Sequence, residues 1–388
     1  MGATISSPWF YDRVIAHEAE LVRGIERAAT AAEQRDNQAR VAFQHDPTGA
    51  NFIAHEEQRG CRGRILVALT RRREHGSSIR RAAPVLVGPA TLESLLTVQP
   101  DTYDAFIDGR LPFNPLFFEF AEPYTISLPL QDHDVHLHGL HLTSFDEMTK
   151  RPWTTVPDAI RKRTYFITLY YEYGVRNPNR ADNIGELGLG FNPSMRGRLV
   201  GESDAMCFYL NLEQSLLHYT LTAEIKTEIA RGEERPLQHT ASLHDVPNGG
   251  RLQQLANLSV NLVNYINAHN VTMTQHHRTV QLTRRTDRGK KRHTVASQPY
   301  YLVTIRDALT TEAAESGQTR ELAWRIFVRG HYRRLRDDNG SIYLVTWVRP
   351  HLKGPTDAPW REQRYQVLAD KLLREQELSE SYTPTKHI

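Results

Sequence analysis

The segment from Trp324 to Gly354 constrains the fold of this chain most strongly, because it encodes a β-hairpin. At its centre lies Asn339-Gly340, and an Asn-Gly pair favours a tight hairpin turn since both residues tolerate positive φ. On the first arm, basic residues alternate with apolar ones at the period of two that is typical of a strand. Pairing through this turn would bring His331 roughly opposite Val348. The C-terminal part of the chain is therefore predicted to contain an antiparallel sheet.

This hairpin is also strongly basic, with seven Lys/Arg and two acidic residues. From His276 to Lys353 the chain carries 16 Lys/Arg and 7 Asp/Glu, a net charge of +9, whereas the whole chain has a net charge of only +3. The remainder of the chain therefore carries a net charge of −6. Positive charge that is concentrated in one region is typical of a surface that binds an anionic partner. The charge pattern favours DNA or RNA as that partner.

A second cationic cluster, Arg284–His293, lies between two predicted strands and contains six Lys/Arg and one Asp. A cationic loop tip suits phosphate contacts, because each phosphate that is neutralised releases counterions. The residues predicted to contact phosphate are Arg284, Arg285, Lys290, Lys291 and Arg292. The residues predicted to form the core of the binding site, on the hairpin, are Arg329, His331, Arg333, His351 and Lys353.

Two other functions remain open for the hairpin. A metal-independent ribonuclease or related toxin moves protons with a histidine of near-neutral pKa and stabilises the pentavalent phosphorane with cations. The candidates for such a site are His331, His351, Arg329 and Lys353. Alternatively, the basic surface belongs to a structural or protein-interaction subunit that meets an acidic partner. Since no other catalytic framework accompanies the two histidines, we predict a binding protein rather than an enzyme.

A histidine-rich segment, Gln131–His141, is a further candidate for a metal site. His136 and His138 are two residues apart, so both lie on one face of a strand, as pairs of zinc ligands often do. No downstream residues have a recognised ligand spacing, and we therefore predict solvent-facing strand residues and no metal or other cofactor. The chain also lacks a P-loop, a complete dinucleotide fingerprint, an HExxH motif and a GxSxG motif, which counts against the enzyme classes that carry them.

The whole sequence predicts an α+β protein with N-terminal helices, a central β-rich domain and a C-terminal basic antiparallel sheet with flanking helices. The predicted parts are an N-terminal helical segment and basic linker (1–82), a β-rich α+β domain (83–247) and a basic C-terminal α+β domain (248–388). The first helix is predicted to begin at Ser7-Pro8. In the central part, residues 177–201 predict a long loop and residues 216–230 a helix. The four C-terminal strands are predicted at 278–285, 300–306, 324–336 and 342–351.

The clearest helical pattern covers residues 252–269, where leucines recur on one face. Asparagines recur on this helix at Asn257, Asn261, Asn264 and Asn267. Such an amide stripe could read adenine edges in a DNA major groove, but it is more often the polar face of an amphipathic helix.

The sequence also predicts where the protein resides. Two cysteines, Cys61 and Cys207, are too few for a disulfide framework or a Cys-rich zinc site. The first residues lack the charged and apolar regions of a signal peptide, and the longest apolar runs have the length of a strand. We therefore predict a soluble, cytoplasmic protein that does not span a membrane, and the sequence leaves a homo-oligomer open.

Two motifs resemble segments of a known group of proteins. The run VRGHYR at Val328–Arg333 and the run WVRPHLKG at Trp347–Gly354 are similar to a C-terminal signature of AcaB-like transcriptional regulators and related phage and mobile-element proteins. The run LPFNPLFFEF at Leu111–Phe120 is similar to a second segment of that group. Here Tyr332 stands where the pattern has Trp, and Asn114 stands where it has Pro. The resemblance implies a DNA-binding regulator of a phage or mobile element, and it implies no catalytic residue.

Overall fold

The protein is described by a computed structural model. The described residues are 4–6, 9–47, 49–98, 111, 113–128, 134–144, 164–174, 183–191, 198–203, 206–211, 214–224, 238–285, 291–305, 324–328, 330–340, 342–348, 351–360 and 372. The helices are α1 (Phe10–His45), α2 (Gly49–Arg81), α3 (Pro89–Thr97) and α4 (Gly249–Ile266). The strands are β1 (Thr4–Ser6), β2 (Ala83–Val87), β3 (Leu116–Ser127), β4 (Asp134–Ser144), β5 (Tyr165–Tyr173), β6 (Ile184–Phe191), β7 (Arg198–Ser203), β8 (Met206–Asn211), β9 (Leu216–Leu221), β10 (His239–Ser242), β11 (Val271–Arg285), β12 (Lys291–Ile305), β13 (Ile326–Val328), β14 (His331–Arg336), β15 (Ile342–Val348) and β16 (His351–Lys353).

A single large sheet organises the described residues. Its twelve strands lie in the order β1-β11-β12-β2-β3-β4-β5-β6-β7-β8-β9-β10. Strand β2 is parallel to both of its neighbours, whereas the other pairs are antiparallel. The parallel pair β2–β3 needs a crossover, and α3 lies in that connection. The mixed α+β class is confirmed, with N-terminal helices, a large central sheet and small C-terminal antiparallel sheets.

Strands β3, β4 and β5 are buried on both faces in part of their length, at Leu116–Phe120, Gly139–Thr143 and Leu169–Tyr171, which explains the apolar runs there. Phe117 and Tyr170 pack against the first turn of α1 and the end of α2. Their sequence neighbours Phe118, Leu169 and Tyr171 belong to a larger core that includes α3 and α4. Because successive residues of a strand face opposite sides, α1 and α2 cover one face of the sheet here and α3 and α4 cover the other.

The first turn of α1 is capped by a side chain from the sheet rather than by a residue next to it in the sequence. The Glu119 carboxylate on β3 accepts hydrogen bonds from the backbone N–H groups of Phe10 (2.8 Å) and Tyr11 (3.3 Å). These are the groups that a local side chain usually caps. The Tyr11 hydroxyl donates to the carbonyls of Ile79 (2.7 Å) and Ala82 (2.9 Å), so it also fixes the end of α2. The predicted start at Ser7-Pro8 lies outside the described residues.

Three predictions about the middle of the chain are wrong. The predicted basic linker before residue 82 is the last part of α2, where Ser78 and Ile79 are buried. The predicted loop at 177–201 contains β6 and the start of β7, and the predicted helix at 216–230 begins as β9. In each case partners distant in sequence provide the backbone hydrogen bonds or the burial, and local propensity is overridden.

The loop was predicted because β6 and β7 are rich in glycine. In this sheet, however, two of those glycines lie against aromatic rings that leave no space for a Cβ atom. A Cβ atom on Gly185 would lie 2.3 Å from a ring carbon of Tyr171. A Cβ atom on Gly201 would lie 2.3 Å from Cζ of Phe208, the residue directly opposite it on β8. A glycine inside a strand commonly marks such a close approach.

Replacing Gly201 by alanine is expected to lower the free energy of unfolding by about 1–3 kcal/mol, because the buried Phe208 ring must leave its position. Gly188 on β6 is the matched control, since its Cβ atom would meet its nearest neighbour, Glu202 Cγ, at an ordinary 3.7 Å. Gly188→Ala should change the free energy by no more than about 0.5 kcal/mol. Urea unfolding of the two variants measures both values, and equal effects would contradict the packing described here.

The C-terminal strands divide between the large sheet and two small ones. Strands β11 and β12 join the large sheet, whereas β13 pairs with β16 and β14 pairs with β15 in separate two-stranded sheets. The expected pairing of His331 with Val348 is confirmed. In the described part of the C-terminal region the four predicted strands do not form a single sheet, since the second edge of β12 pairs with β2. The large sheet therefore contains strands from both sides of the predicted boundary at residues 247 and 248, and the division into three domains stays a prediction.

In the part of the chain that the structure describes, no helix combines the length and the apolar character needed to cross a membrane.

Candidate nucleic-acid interface

Strands β11 and β12 form a long antiparallel ribbon near one edge of the large sheet, where β1 is the outermost strand. Each strand has 15 residues, and the two pair over their full length from Val271↔Ile305 to Arg285↔Lys291. On the β12 side, pairing with β2 within the described residues is limited to Tyr301 and Leu302. From Tyr301 to Lys291 the ribbon is about 34 Å long at 3.4 Å per residue. Most of this length therefore extends past β2.

The ribbon tip consists of Arg284, Arg285, Lys291 and Arg292. The register places Arg284 opposite Arg292 and Arg285 opposite Lys291. Strand β1 pairs with β11 as far as Thr283 and no further within the described residues. The tip thus brings together two consecutive pairs of like charge beyond the edge of the neighbouring strands.

This arrangement differs from the loop that the sequence predicts. Four of the five residues predicted to contact phosphate lie in paired strands rather than in a flexible loop. The fifth, Lys290, lies outside the described residues. The strands extend further than predicted because each provides the other with a continuous ladder of backbone hydrogen bonds.

A buried ion pair joins the ribbon to α1. The guanidinium of Arg278 donates from Nη1 and Nη2 to the two carboxylate oxygens of Asp12, at 2.9 and 2.8 Å, and both side chains are nearly inaccessible to water. The same guanidinium lies 4.5 Å from the centroid of the Trp9 ring and donates to Oε1 of Gln298 at 3.1 Å. Trp9 also contacts the ring of Tyr300 on β12, with centroids 5.0 Å apart. These contacts anchor the base of the ribbon to α1.

The hairpin residues that were predicted to form the core of the site occupy two small sheets. His331 and Arg333 are exposed on β14. His351 is half-buried opposite Val328, and Lys353 is exposed opposite Ile326. Arg329 lies outside the described residues. The two histidines therefore belong to different strand pairs, and their joint role, whether in binding or in catalysis, stays a prediction.

The other face of the hairpin packs against α4. Trp347 is fully buried and contacts the rings of Tyr332 and Tyr265, with centroids 4.7 and 5.4 Å apart. The Asn270 side chain donates to the Trp347 carbonyl and accepts from the Trp347 backbone N–H, both at 2.8 Å. The Tyr332 hydroxyl donates to the Asn261 carbonyl at 2.5 Å. This face is therefore structural.

Two of the four asparagines in the stripe on α4 have structural positions. Asn257 and Asn261 are buried. The Asn261 side chain donates to the carbonyls of Leu95 (2.8 Å) and Val98 (2.7 Å), which are the unpaired acceptors at the end of α3. The base-reading interpretation is thus wrong for this residue, because its amide satisfies backbone groups that the helix cannot.

The two histidines considered as metal ligands have separate partners. His138 Nε2 lies 2.9 Å from Oε2 of Glu172, and its ring stacks on Phe10 with centroids 4.2 Å apart. His136 Nδ1 lies 3.0 Å from the Thr125 hydroxyl. Within the described residues, neither belongs to a group of three potential metal ligands.

Sequence reasoning missed a buried polar cluster between the helices and the sheet. Arg72 on α2 binds both carboxylate oxygens of Glu186 on β6, at 2.8 and 2.7 Å, and Oε1 of Glu18 on α1 at 2.7 Å. The Tyr170 hydroxyl donates to the same Glu18 oxygen at 2.9 Å and lies 2.8 Å from His75 Nε2. In sequence these charges resemble those of any exposed helical face, so no local pattern identifies the cluster.

The cluster has unusual protonation, because it is shielded from water. Burial raises the pKa of Glu18 to about 7 although Arg72 opposes the shift. Burial also lowers the pKa of His75 to about 4, with a further contribution from Arg72. His17, Glu18 and Glu186 place potential ligand atoms within 4.8 Å of one another, but Arg72 already supplies the cation that these carboxylates need. We therefore assign the cluster to the packing of helices on the sheet.

Replacing Glu18 by glutamine should have an effect that depends on pH. The folded-state pKa lies above the ordinary value, so the stabilisation by this carboxyl is fully present below pH 4.5 and is lost as the pH rises through about 7. Urea unfolding at about pH 5 and about pH 8 should show the wild type losing stability relative to Glu18→Gln as the pH rises. For Glu20→Gln, at an exposed site on the same helix, the difference in free energy of unfolding from the wild type should not change with pH. If that difference changes equally with pH for both variants, the assignment is contradicted.

Comparisons of the chain with protein-family models, with curated proteins and with solved structures return no match. The function is therefore inferred from the residues of the chain itself.

Proposed function

We propose that this protein binds DNA without catalysis, through the ribbon formed by β11 and β12. The observation that carries the proposal is the register of the tip, which pairs Arg284 with Arg292 and Arg285 with Lys291. Like charges directly opposite each other destabilise an antiparallel pair. The repulsion within two consecutive pairs of this kind lowers the stability of the free protein. An anion bound between them removes that repulsion, so binding is favoured.

Phosphate supplies such an anion in a repeating array. A protein that neutralises several phosphates releases the counterions condensed on the DNA, and the affinity then depends steeply on salt. The tip residues have the fixed positive charge for this role, since arginine remains protonated throughout the physiological pH range. Three of the four tip residues are arginine, whose guanidinium can bind phosphate through two hydrogen bonds.

The shape of the ribbon favours duplex DNA over duplex RNA. The major groove of B-form DNA is about 12 Å wide and admits a two-stranded β-ribbon. The corresponding groove of A-form RNA is too deep and narrow for side chains to read. The two-stranded part of the ribbon beyond β1 carries all four tip residues, and it would enter the groove while the base of the ribbon stays anchored to α1 by Asp12 and Arg278.

We propose that the hairpin makes a second contact with the DNA. Its exposed residues His331, Arg333 and Lys353 belong to the same basic region of the chain, which has a net charge of +9 between His276 and Lys353. The resemblance of this hairpin to AcaB-like regulators supports a regulatory role in a phage or mobile element.

The proposal is tested by measuring the retention of labelled duplex DNA and duplex RNA on the full chain across a salt series, with and without EDTA. We expect intact DNA to be retained at low salt, more strongly than RNA, and to be released as the salt rises. EDTA-resistant cleavage of RNA that is lost in His331→Ala would replace the proposal with the ribonuclease alternative. Failure to retain either polymer at low salt would exclude both functions and favour a protein-interaction subunit.

A further inference from the structure

A cleft of about 440 Å³ lies at the base of the ribbon, where α1, α2, β2 and β12 meet. This volume is in the range of small-ligand sites, which run from about 300 to 1,000 Å³. Its floor includes Tyr11, whose hydroxyl is already bound to the carbonyls of Ile79 and Ala82. The floor therefore offers mainly apolar surface, and the specificity of the cleft depends on its rim.

The rim of the cleft combines cations with aromatic rings. Arg80 and Arg81, both exposed, form the last turn of α2 on one side. On the other side, Phe113 and Tyr301 have half-buried rings whose centroids lie 4.4 Å apart. An arginine pair matches a phosphate group, and an aromatic pair offers a face on which a base can stack. The cleft therefore has the two chemical features that a nucleotide needs.

The cleft and the ribbon tip share one strand. Tyr301 lies on β12, the strand that also carries Lys291 and Arg292 at the tip, about 34 Å away along the ribbon. One nucleic-acid molecule can span this distance. The base of a paired nucleotide is stacked inside a duplex, so only an unpaired nucleotide can offer its face to Tyr301 and Phe113.

We propose that the cleft binds an unpaired nucleotide of the DNA that the ribbon holds, with the phosphate at Arg80 and Arg81 and the base against Tyr301 and Phe113. This inference rests on the proposed DNA-binding function and adds a preference for DNA in which a duplex adjoins a single strand. Stacking and cationic contacts of this kind tolerate any base, so we expect little dependence on the sequence of the single strand.

The test compares the affinity of the full chain for three probes: a duplex, the same duplex with a single-stranded tail of about ten nucleotides, and that duplex with a tail of abasic sites. We expect the wild type to bind the tailed duplex about tenfold more tightly than the plain duplex, since one stacked base contributes a factor of this order. The abasic tail should give a smaller gain than the tail with bases.

Variants of the rim provide the second arm of the test. Arg80→Gln combined with Arg81→Gln, and separately Tyr301→Leu, should reduce the gain from the tail to less than about twofold while keeping the affinity for the plain duplex. Arg64→Gln combined with Arg71→Gln, at exposed positions on the same helix, should keep the full gain. Circular dichroism of each variant establishes that the fold is retained.

The outcomes separate the inference from the proposed function. If the wild type binds both duplexes equally, or if the abasic tail gives the full gain, the nucleotide cleft is overturned and DNA binding by the ribbon stands. If the wild type binds neither duplex at low salt, the proposed function itself fails. Loss of the gain in the rim variants alone supports the cleft.

Discussion

Replacing Arg278 by methionine is expected to lower the free energy of unfolding by about 3–5 kcal/mol, because Asp12 would keep a buried charge without a partner. Asp12 is 1 % exposed and its two oxygens bind the Arg278 guanidinium at 2.8 and 2.9 Å. Methionine retains much of the apolar volume, so the loss reflects the charge rather than a cavity. Urea unfolding measures the effect.

Two further variants show whether the charge is the cause. Asp12→Asn combined with Arg278→Met removes both charges, and it should recover part of the loss because no uncompensated ion remains buried. Arg23→Met breaks an exposed pair with Glu20 on the same helix, and it should change the stability little. If Arg278→Met lowers the free energy of unfolding no more than Arg23→Met does, the buried ion pair does not stabilise the base of the ribbon.

Replacing the four tip residues by glutamine is expected to weaken DNA binding at least about 100-fold at 0.1 M salt, because four phosphate contacts and their released counterions are lost. This tip variant contains Arg284→Gln, Arg285→Gln, Lys291→Gln and Arg292→Gln. Its free energy of unfolding should stay the same or rise, since the change removes two like-charge pairs. Fluorescence anisotropy measures the affinity and urea unfolding measures the stability.

A helix variant with the same change of charge is the control for the tip. The control carries Arg35→Gln, Arg40→Gln, Arg64→Gln and Arg71→Gln, all at exposed positions of α1 and α2. A general effect of net charge would weaken DNA binding equally in both variants. We expect the control to bind within about threefold of the wild type, because long-range charge is largely screened at this salt concentration.

Local signals in the sequence predicted the hairpin and the helix α4 (Gly249–Ile266). Asn339-Gly340 marks the position of the turn, so the pairing of His331 with Val348 followed from spacing alone. The turn itself differs from the expected one, because among its described residues only Gly340 has a positive φ (80°) and its N–H donates to the Asp337 carbonyl. The stripe of leucines on α4 likewise needs no distant information. Both features depend on residues that are close together in the chain.

Distant contacts explain what the sequence did not reveal. Gly185 and Gly201 resemble loop residues until the rings of Tyr171 and Phe208 are placed beside them. The pairing of β12 with β2 joins residues more than 200 positions apart, and no turn signal indicates it. The same holds for the Arg72 cluster, whose members come from α1, α2, β5 and β6.

In the candidate site, too, local signals were visible in the sequence whereas the effects of distant contacts were not. The charge of the tip was evident from composition, but its meaning comes from the register, which turns a predicted flexible loop into paired strands of like charge. The histidines of the hairpin were evident as well, and the structure places them in two separate strand pairs. The cleft at Arg80 and Tyr301 had no signal in the sequence, because its walls come from four distant segments.

Phosphate binding by the ribbon tip underlies the proposed function, and the salt dependence of DNA affinity is its sharpest test. We would measure the association constant between about 50 and 200 mM salt for the wild type, the tip variant and the helix control. If the tip binds phosphate, the slope of log K against log salt concentration will be shallower by about 3–4 in the tip variant, at roughly 0.9 for each lost phosphate contact, and unchanged in the control. Equal slopes for the tip variant and the wild type would contradict phosphate binding by the tip.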